Sequence, residues 1–180
     1  MSTNKTNAAA FVVREAREAD IPVLIDFLAK LALHVAGGVD HVLKDKEQKR
    51  LAESLRRTMN DANARILVAE LPDQRLAGMG YLAVWRSPGI WEQAGDIEFK
   101  SGIIDDIWVE PDCRKLGIFS ALLQDLIAFA ESRDVQELIL EYSVTNKEAD
   151  AVWSKLGFKP TGVRAAAFTQ TVKAELANRQ

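Results

Sequence analysis

A chain of 180 residues, 48% of them apolar, is of single-domain size and should bury roughly 70% of its unfolded surface. Its net charge of −3 offers no basic footprint for nucleic acid, and its apolar runs fall short of the roughly 20 residues that cross a bilayer. The polar start, Met1 to Ala10, lacks the apolar stretch of a secretory signal, and one cysteine, Cys113, can build neither an internal disulfide nor a zinc site; a cytoplasmic protein without a metal is expected.

Phe11–Arg14 is a short apolar run suited to a first strand. Asp20 followed by Ile21-Pro22 reads as a helix start, and Val23, Leu24, Phe27, Leu28 and Leu31 then repeat at helical spacing. Gly37-Gly38 ends or bends that helix. Asp45 and Gln48 have capping-box spacing and open a second helix with Leu51, Leu55 and Met59 on its apolar face. Arg65–Glu70 and Leu76–Trp85 flank the turn Pro72-Asp73-Gln74 and predict an antiparallel hairpin. The segment from Arg86 to Lys100 is long for a hairpin loop, and loops of that length are often functional.

Ile103–Val109 predicts a strand, followed by a short turn, Gly117, and a helix with Phe119, Leu122, Leu123, Leu126, Ile127 and Ala130 on one face. A turn that delivers backbone N–H groups at a helix start is an anion site, and Arg114 and Lys115 add positive charge beside it. A phosphorylated ligand is therefore expected. Glu137–Val144 predicts a strand parallel to Ile103–Val109, because a helical crossover joins them. Asn146–Leu156 reads as a short helix capped by Gly157, and Val163–Val172 as the last strand. No repeat or linker interrupts the pattern, so residues 1–180 are read as one α/β domain with its core at about 11–172.

Arg114-Lys115-Leu116-Gly117-Ile118-Phe119 resembles the pyrophosphate-binding pattern of the GNAT superfamily of acyl-CoA-dependent N-acyltransferases: Gln or Arg, two residues, Gly, one residue, Gly or Ala. Upstream, Val109 to Arg114 matches the usual strand exit. Downstream, Asn146 and Trp153-Ser154-Lys155-Leu156-Gly157-Phe158 are similar to the family's last motif. The resemblance covers roughly Phe11 to Val172. It implies a mixed central sheet flanked by helices, with two neighbouring strands splayed apart to admit acetyl-CoA. Backbone of Ile107, Trp108 and Val109 would pair with the pantetheine arm, amides of Leu116, Gly117, Ile118, Phe119 and Ser120 would hold the pyrophosphate, and Asn146 would touch the lower cofactor. Phe119 replaces the second small residue of the pattern. The implied activity is acetyl transfer to a primary amine of a small molecule such as a polyamine, amino acid or amino-sugar. A protein N-terminus or lysine is the runner-up acceptor, and a homodimer is compatible with the family.

Asp105 and Asp106 are adjacent on the strand, so their side chains are expected on opposite faces. In polyamine-type members of the family an adjacent acidic pair occupies these positions, and Asp105 would inherit the role of base; the alternative is a strand carboxylate satisfied by backbone or an arginine. The family's general acid is a tyrosine where this chain has Trp153, whose indole donates hydrogen bonds but gives up no proton at working pH. Trp153 is read as a packing wall beside the cofactor, and solvent or Tyr142 as the proton source; a non-catalytic acyl-CoA-binding module is the competing class. Cys113 beside Arg114 reads as a surface-turn thiol with no histidine to activate it. His34 and His41 lack metal-ligand spacing. Trp85, Trp91 and Trp108, with Asp96, Glu98, Asp105 and Asp106, give the acceptor side a character suited to a cationic amine. The P-loop spacing G-x-x-x-x-G-K-[ST] is absent.

Overall fold

A computed structural model describes residues 11–35, 43–85, 100–162 and 165–178. Gly37, Gly38, His41, Trp91, Asp96, Glu98 and nearly all of the Arg86–Lys100 loop lie outside the described residues. The chain divides into two compact units, Met1–Glu141 and Tyr142–Gln180.

The first unit holds β1 (Val12–Glu15), α1 (Ile21–Val35), α2 (Asp45–Met59), β2 (Ala64–Glu70), β3 (Leu76–Trp85), β4 (Ser101–Val109), α3 (Ile118–Glu131) and β5 (Glu137–Leu140). The strands form one sheet in the order β1-β2-β3-β4-β5, antiparallel except for the parallel pair β4–β5. This is the expected mixed sheet, with the crossover helix α3 between the two parallel strands.

Helices α1 and α2 cover one face. Ile21, Leu24 and Phe27 of α1 and Leu55 of α2 pack with Ile66, Val68, Met79 and Trp108 of the sheet. Helix α3 packs on β3 and β2. Its fully buried row is Ile118, Leu122 and Leu126, with Leu123 and Ala130 also buried as the sequence pattern indicated, while Phe119 is only half-buried. The approach is close: at Gly78 a Cβ would stand 3.3 Å from Ile118 Cγ2, and at Gly80 3.0 Å from Leu126 Cδ1. Glycine on β3 is what lets α3 lie so near the sheet.

Two expected caps form differently. The Asp20 carboxylate accepts from the Arg17 amide at 2.7 Å and pairs with Arg14, which also binds Glu70. Burial opposes this carboxylate's charge, but the Arg14 and Arg17 hydrogen bonds hold its pKa below the usual value. Helix α2 has Lys44 at its N-cap without a side-chain cap, and the Gln48 amide donates instead to the Leu43 carbonyl. Cys113 is buried rather than exposed on a surface turn, with Arg75 Nη2 at 3.3 Å from its sulfur.

The second unit contains α4 (Lys147–Lys155) and α5 (Thr169–Ala177). The predicted strand Val163–Val172 is not present among the described residues: 165–168 are irregular and the chain is helical from Thr169. Thr169, Thr171 and Val172 are β-branched, but Lys173-Ala174-Glu175-Leu176-Ala177 is a run of strong helix formers. The predicted strand Glu137–Val144 stops at Leu140.

Candidate active site

Pairing between β4 and β5 runs from Ser101–Glu137 to Ile104–Leu140 and stops, while β4 continues to Val109. Among the described residues, no strand pairs with the β5 side of β4 beyond Ile104, which leaves it a free strand edge within the first unit. The Glu110 N–H donates to the Ala77 carbonyl at 2.9 Å, toward β3. Because backbone groups alternate along a strand, those of Trp108 also face β3, and those of Ile107 and Val109 face the open edge. Arg114 Nε reaches the Val109 carbonyl at 3.5 Å on that side. A strand edge without a paired neighbour is a template for an added extended segment.

The acidic pair sits where the β3–β4 register breaks. Gly80 pairs with Ile107 and Leu82 with Ile104, so Tyr81 alone opposes both Asp105 and Asp106. This is a β-bulge with its extra residue on β4. It cancels the alternation expected from sequence: Ile104 and Ile107, three apart, share one face, and the two carboxylates lie together opposite Tyr81 instead of on opposite faces. Asp105 is exposed and Asp106 half-buried. Burial, reinforced by the charge of Asp105, pushes the Asp106 carboxyl up to about 6. The Tyr81 phenol is raised by burial against the lowering effect of its hydrogen bond with Thr58, with the charges of Asp105, Asp106 and Asp61 raising it further. Tyr81 and Thr58 had no motif to mark them in the sequence; only the register of β3 against β4 brings Tyr81 to the acids.

Past β4, Pro111–Cys113 forms a 3-10 turn, and Lys115 and Gly117 take left-handed φ values of 66° and 88°. The first bond of α3 runs from the Ala121 N–H to the Gly117 carbonyl, so the amides of the first turn precede the helical ladder. Among the described residues, a Cβ built on Gly117 meets nothing within 4 Å. Ile118 anchors this end against Gly78, and Arg114, Lys115, Leu116 and Ser120 are exposed around it. N–H donors and the positive end of the helix dipole thus lie at this turn, with the exposed Arg114 and Lys115 beside it in sequence, the chemistry that fits a diphosphate.

Trp108 turns its ring into the core, edge-on to His34 at 6.0 Å, with the Arg114 guanidinium 5.6 Å from its centroid. In the second unit, Asn146 caps α4, its Oδ1 accepting from the Ala149 N–H at 3.0 Å. Gly157, at φ 93°, closes α4 in a Schellman arrangement: the Phe158 N–H bonds to the Trp153 carbonyl and the Gly157 N–H to that of Ser154. The hydrophobic contact of that motif is the edge-to-face pair Trp153–Phe158 at 5.3 Å. Tyr142 donates to Asp150 Oδ1 at 2.9 Å, which raises its pKa.

A family model described as the acetyltransferase (GNAT) family matches residues 36–158, more than half of the chain. A curated protein of Bacillus subtilis (strain 168), a candidate ribosomal protein bS18-alanine N-acetyltransferase, is 27% identical over 81 residues, covering 45% of this chain and 50% of the relative. The chain thus matches about half the length of that relative. Among solved structures, a predicted acetyltransferase of Clostridium acetobutylicum, solved with acetyl-CoA, superposes with a TM-score of 0.72 at 20% identity, covering 89% of this chain and 97% of that one. Glucosamine-6-phosphate N-acetyltransferase of Arabidopsis thaliana gives 0.63 at 20% identity, over 88% and 98%. An aminoglycoside 6'-N-acetyltransferase of Acinetobacter baumannii gives 0.64 at 18%, over 88% and 97%.

Proposed function

The chain belongs to the acetyltransferase (GNAT) family, and from that premise we propose that it moves the acetyl group of acetyl-CoA to a primary amine of a small molecule in the cytoplasm. The observation that carries this reading is the bulge, which sets a carboxylate with a pKa of about 6 beside the open edge of β4.

Acetyl-CoA, when bound, supplies an activated thioester carbonyl. The residues present fit it: the outward backbone groups of Ile107 and Val109 would hold the pantetheine arm, and the loop from Arg114 to Ser120 the diphosphate. Asp106 is the proposed base. A carboxylate with its pKa near 6 is ionised at neutral pH yet basic enough to take a proton from an ammonium in a partly buried site. Asp105 supports it by charge, and the pair together favours a cationic acceptor. The structural neighbours that act on an amino-sugar phosphate and on aminoglycosides support small-molecule amines as the acceptor class.

Coenzyme A release measured over a panel of polyamines, amino acids and amino-sugars tests this. Turnover with at least one amine, lost on Asp106→Asn while acetyl-CoA affinity holds, is the expected result; equal turnover in that variant removes Asp106 from the mechanism. Trp153 favours a second reading, an acyl-CoA-binding module without turnover, because its ring is committed to the Phe158 contact and has no labile proton. Binding of acetyl-CoA with no thiol released on any amine would establish that reading.

A further inference from the structure

We infer that Tyr81, held by Thr58, positions the acceptor amine against the bulge of β4, a role that rests on the acetyltransferase reading above. Tyr81 is the one β3 residue opposite two residues of β4, so its side chain stands where the bulge turns both carboxylates to one face. Its half-buried ring packs on the core formed by α1, α2 and the sheet. Its hydroxyl hydrogen-bonds with Thr58, in the last turn of α2.

The charged groups around the phenol are Asp105 and Asp106 from β4 and Asp61 from the turn after α2. They act on it through charge, while its hydrogen bond goes to Thr58. In that field, and partly out of water, the phenol stays protonated and uncharged throughout the working pH range. Whichever partner donates in the Thr58–Tyr81 bond, the phenolic oxygen keeps a lone pair. That lone pair accepts one N–H of the incoming amine while Asp106 takes the proton the amine must shed. Tyr81 itself gains and loses no proton, and it contacts the acceptor, leaving acetyl-CoA to the opposite edge of β4.

A bracing role alone, tying α2 to β3, would leave acceptor recognition untouched. Steady-state kinetics of Tyr81→Phe, Thr58→Val and Thr58→Ser, on the best amine of the panel, separate the two. We expect Tyr81→Phe to raise the acceptor KM about tenfold, the loss of one hydrogen bond to a charged or partly charged group. The kcat and the acetyl-CoA Kd should stay within about twofold. Thr58→Val frees the phenol and should move the acceptor KM the same way, by a smaller factor, whereas Thr58→Ser should restore it. Should Tyr81→Phe fail to fold, the two Thr58 variants decide alone. Wild-type acceptor KM in Thr58→Val, or in a folded Tyr81→Phe, overturns the role of Tyr81. A wild-type protein that binds acetyl-CoA but acetylates no amine overturns the enzyme reading instead.

Discussion

Replacing Asp106 with asparagine should make the protein more stable while silencing it. The wild-type carboxyl has its pKa raised from the ordinary 3.8 to about 6, chiefly by burial and then by Asp105. Between those values the folded state holds a proton that the unfolded chain releases, so stability falls as pH rises from about 4 to 6 and stays low above that. At about 1.4 kcal/mol per pH unit, ionising Asp106 costs the fold roughly 3 kcal/mol at neutral pH. Asparagine resembles the protonated acid in shape and polarity and never ionises, so Asp106→Asn should recover most of that cost. For a chain of this size the gain is about 5–10 °C in Tm at pH 7.5. Near pH 5 the advantage should shrink to roughly half, and near pH 4 it should nearly vanish. Thermal melts of both proteins at these three pH values, with coenzyme A release measured in parallel, make the comparison. A variant that melts below wild type at pH 7.5, or whose advantage does not change with pH, would refute the reasoning that burial holds this carboxyl up.

Gly78→Ala should destabilise the protein by about 1–3 kcal/mol, because the new Cβ would stand 2.7 Å from the Trp108 carbonyl oxygen and must push β4 away; chemical denaturation measures it, and the displaced edge should also weaken acetyl-CoA binding. Arg114→Gln should raise the acetyl-CoA Kd several-fold, and added salt should weaken the wild type more than the variant, since the lost contribution is charge on a diphosphate. Equal salt dependence in the two proteins would place Arg114 outside the diphosphate site.

The parts of the site that one stretch of chain builds were legible. Gly117 and the cations before it announce a helix mouth, and the structure gives Gly117 the left-handed φ such a turn needs. Gly157 likewise announced the close of α4. What depends on a partner strand was not legible. Alternation predicted Asp105 and Asp106 on opposite faces, but one extra residue against Tyr81 puts them together, and that count exists only in the pairing of β3 with β4. The same limit hid Tyr81 and Thr58. Leu122, Leu123, Leu126 and Ala130 of α3 were legible as its buried face, whereas Ile118 was not, because it packs against Gly78, distant in sequence. Cys113 looked exposed because its neighbours are polar, yet the 3-10 turn directs it inward. The strand read at Val163–Val172 failed because strand propensity without a paired neighbour is a weak determinant, and the helix formers after Val172 prevailed.

Calorimetric titration with acetyl-CoA, of the wild type and of Gly117→Glu, tests the central claim most directly. Glutamate there would place a negative side chain in the open space at the head of α3 and force a non-glycine residue to φ 88°. The wild type should give a saturable one-to-one isotherm, and the variant should lose it while remaining folded by circular dichroism. No heat from either protein, or equal affinity in both, would contradict the account.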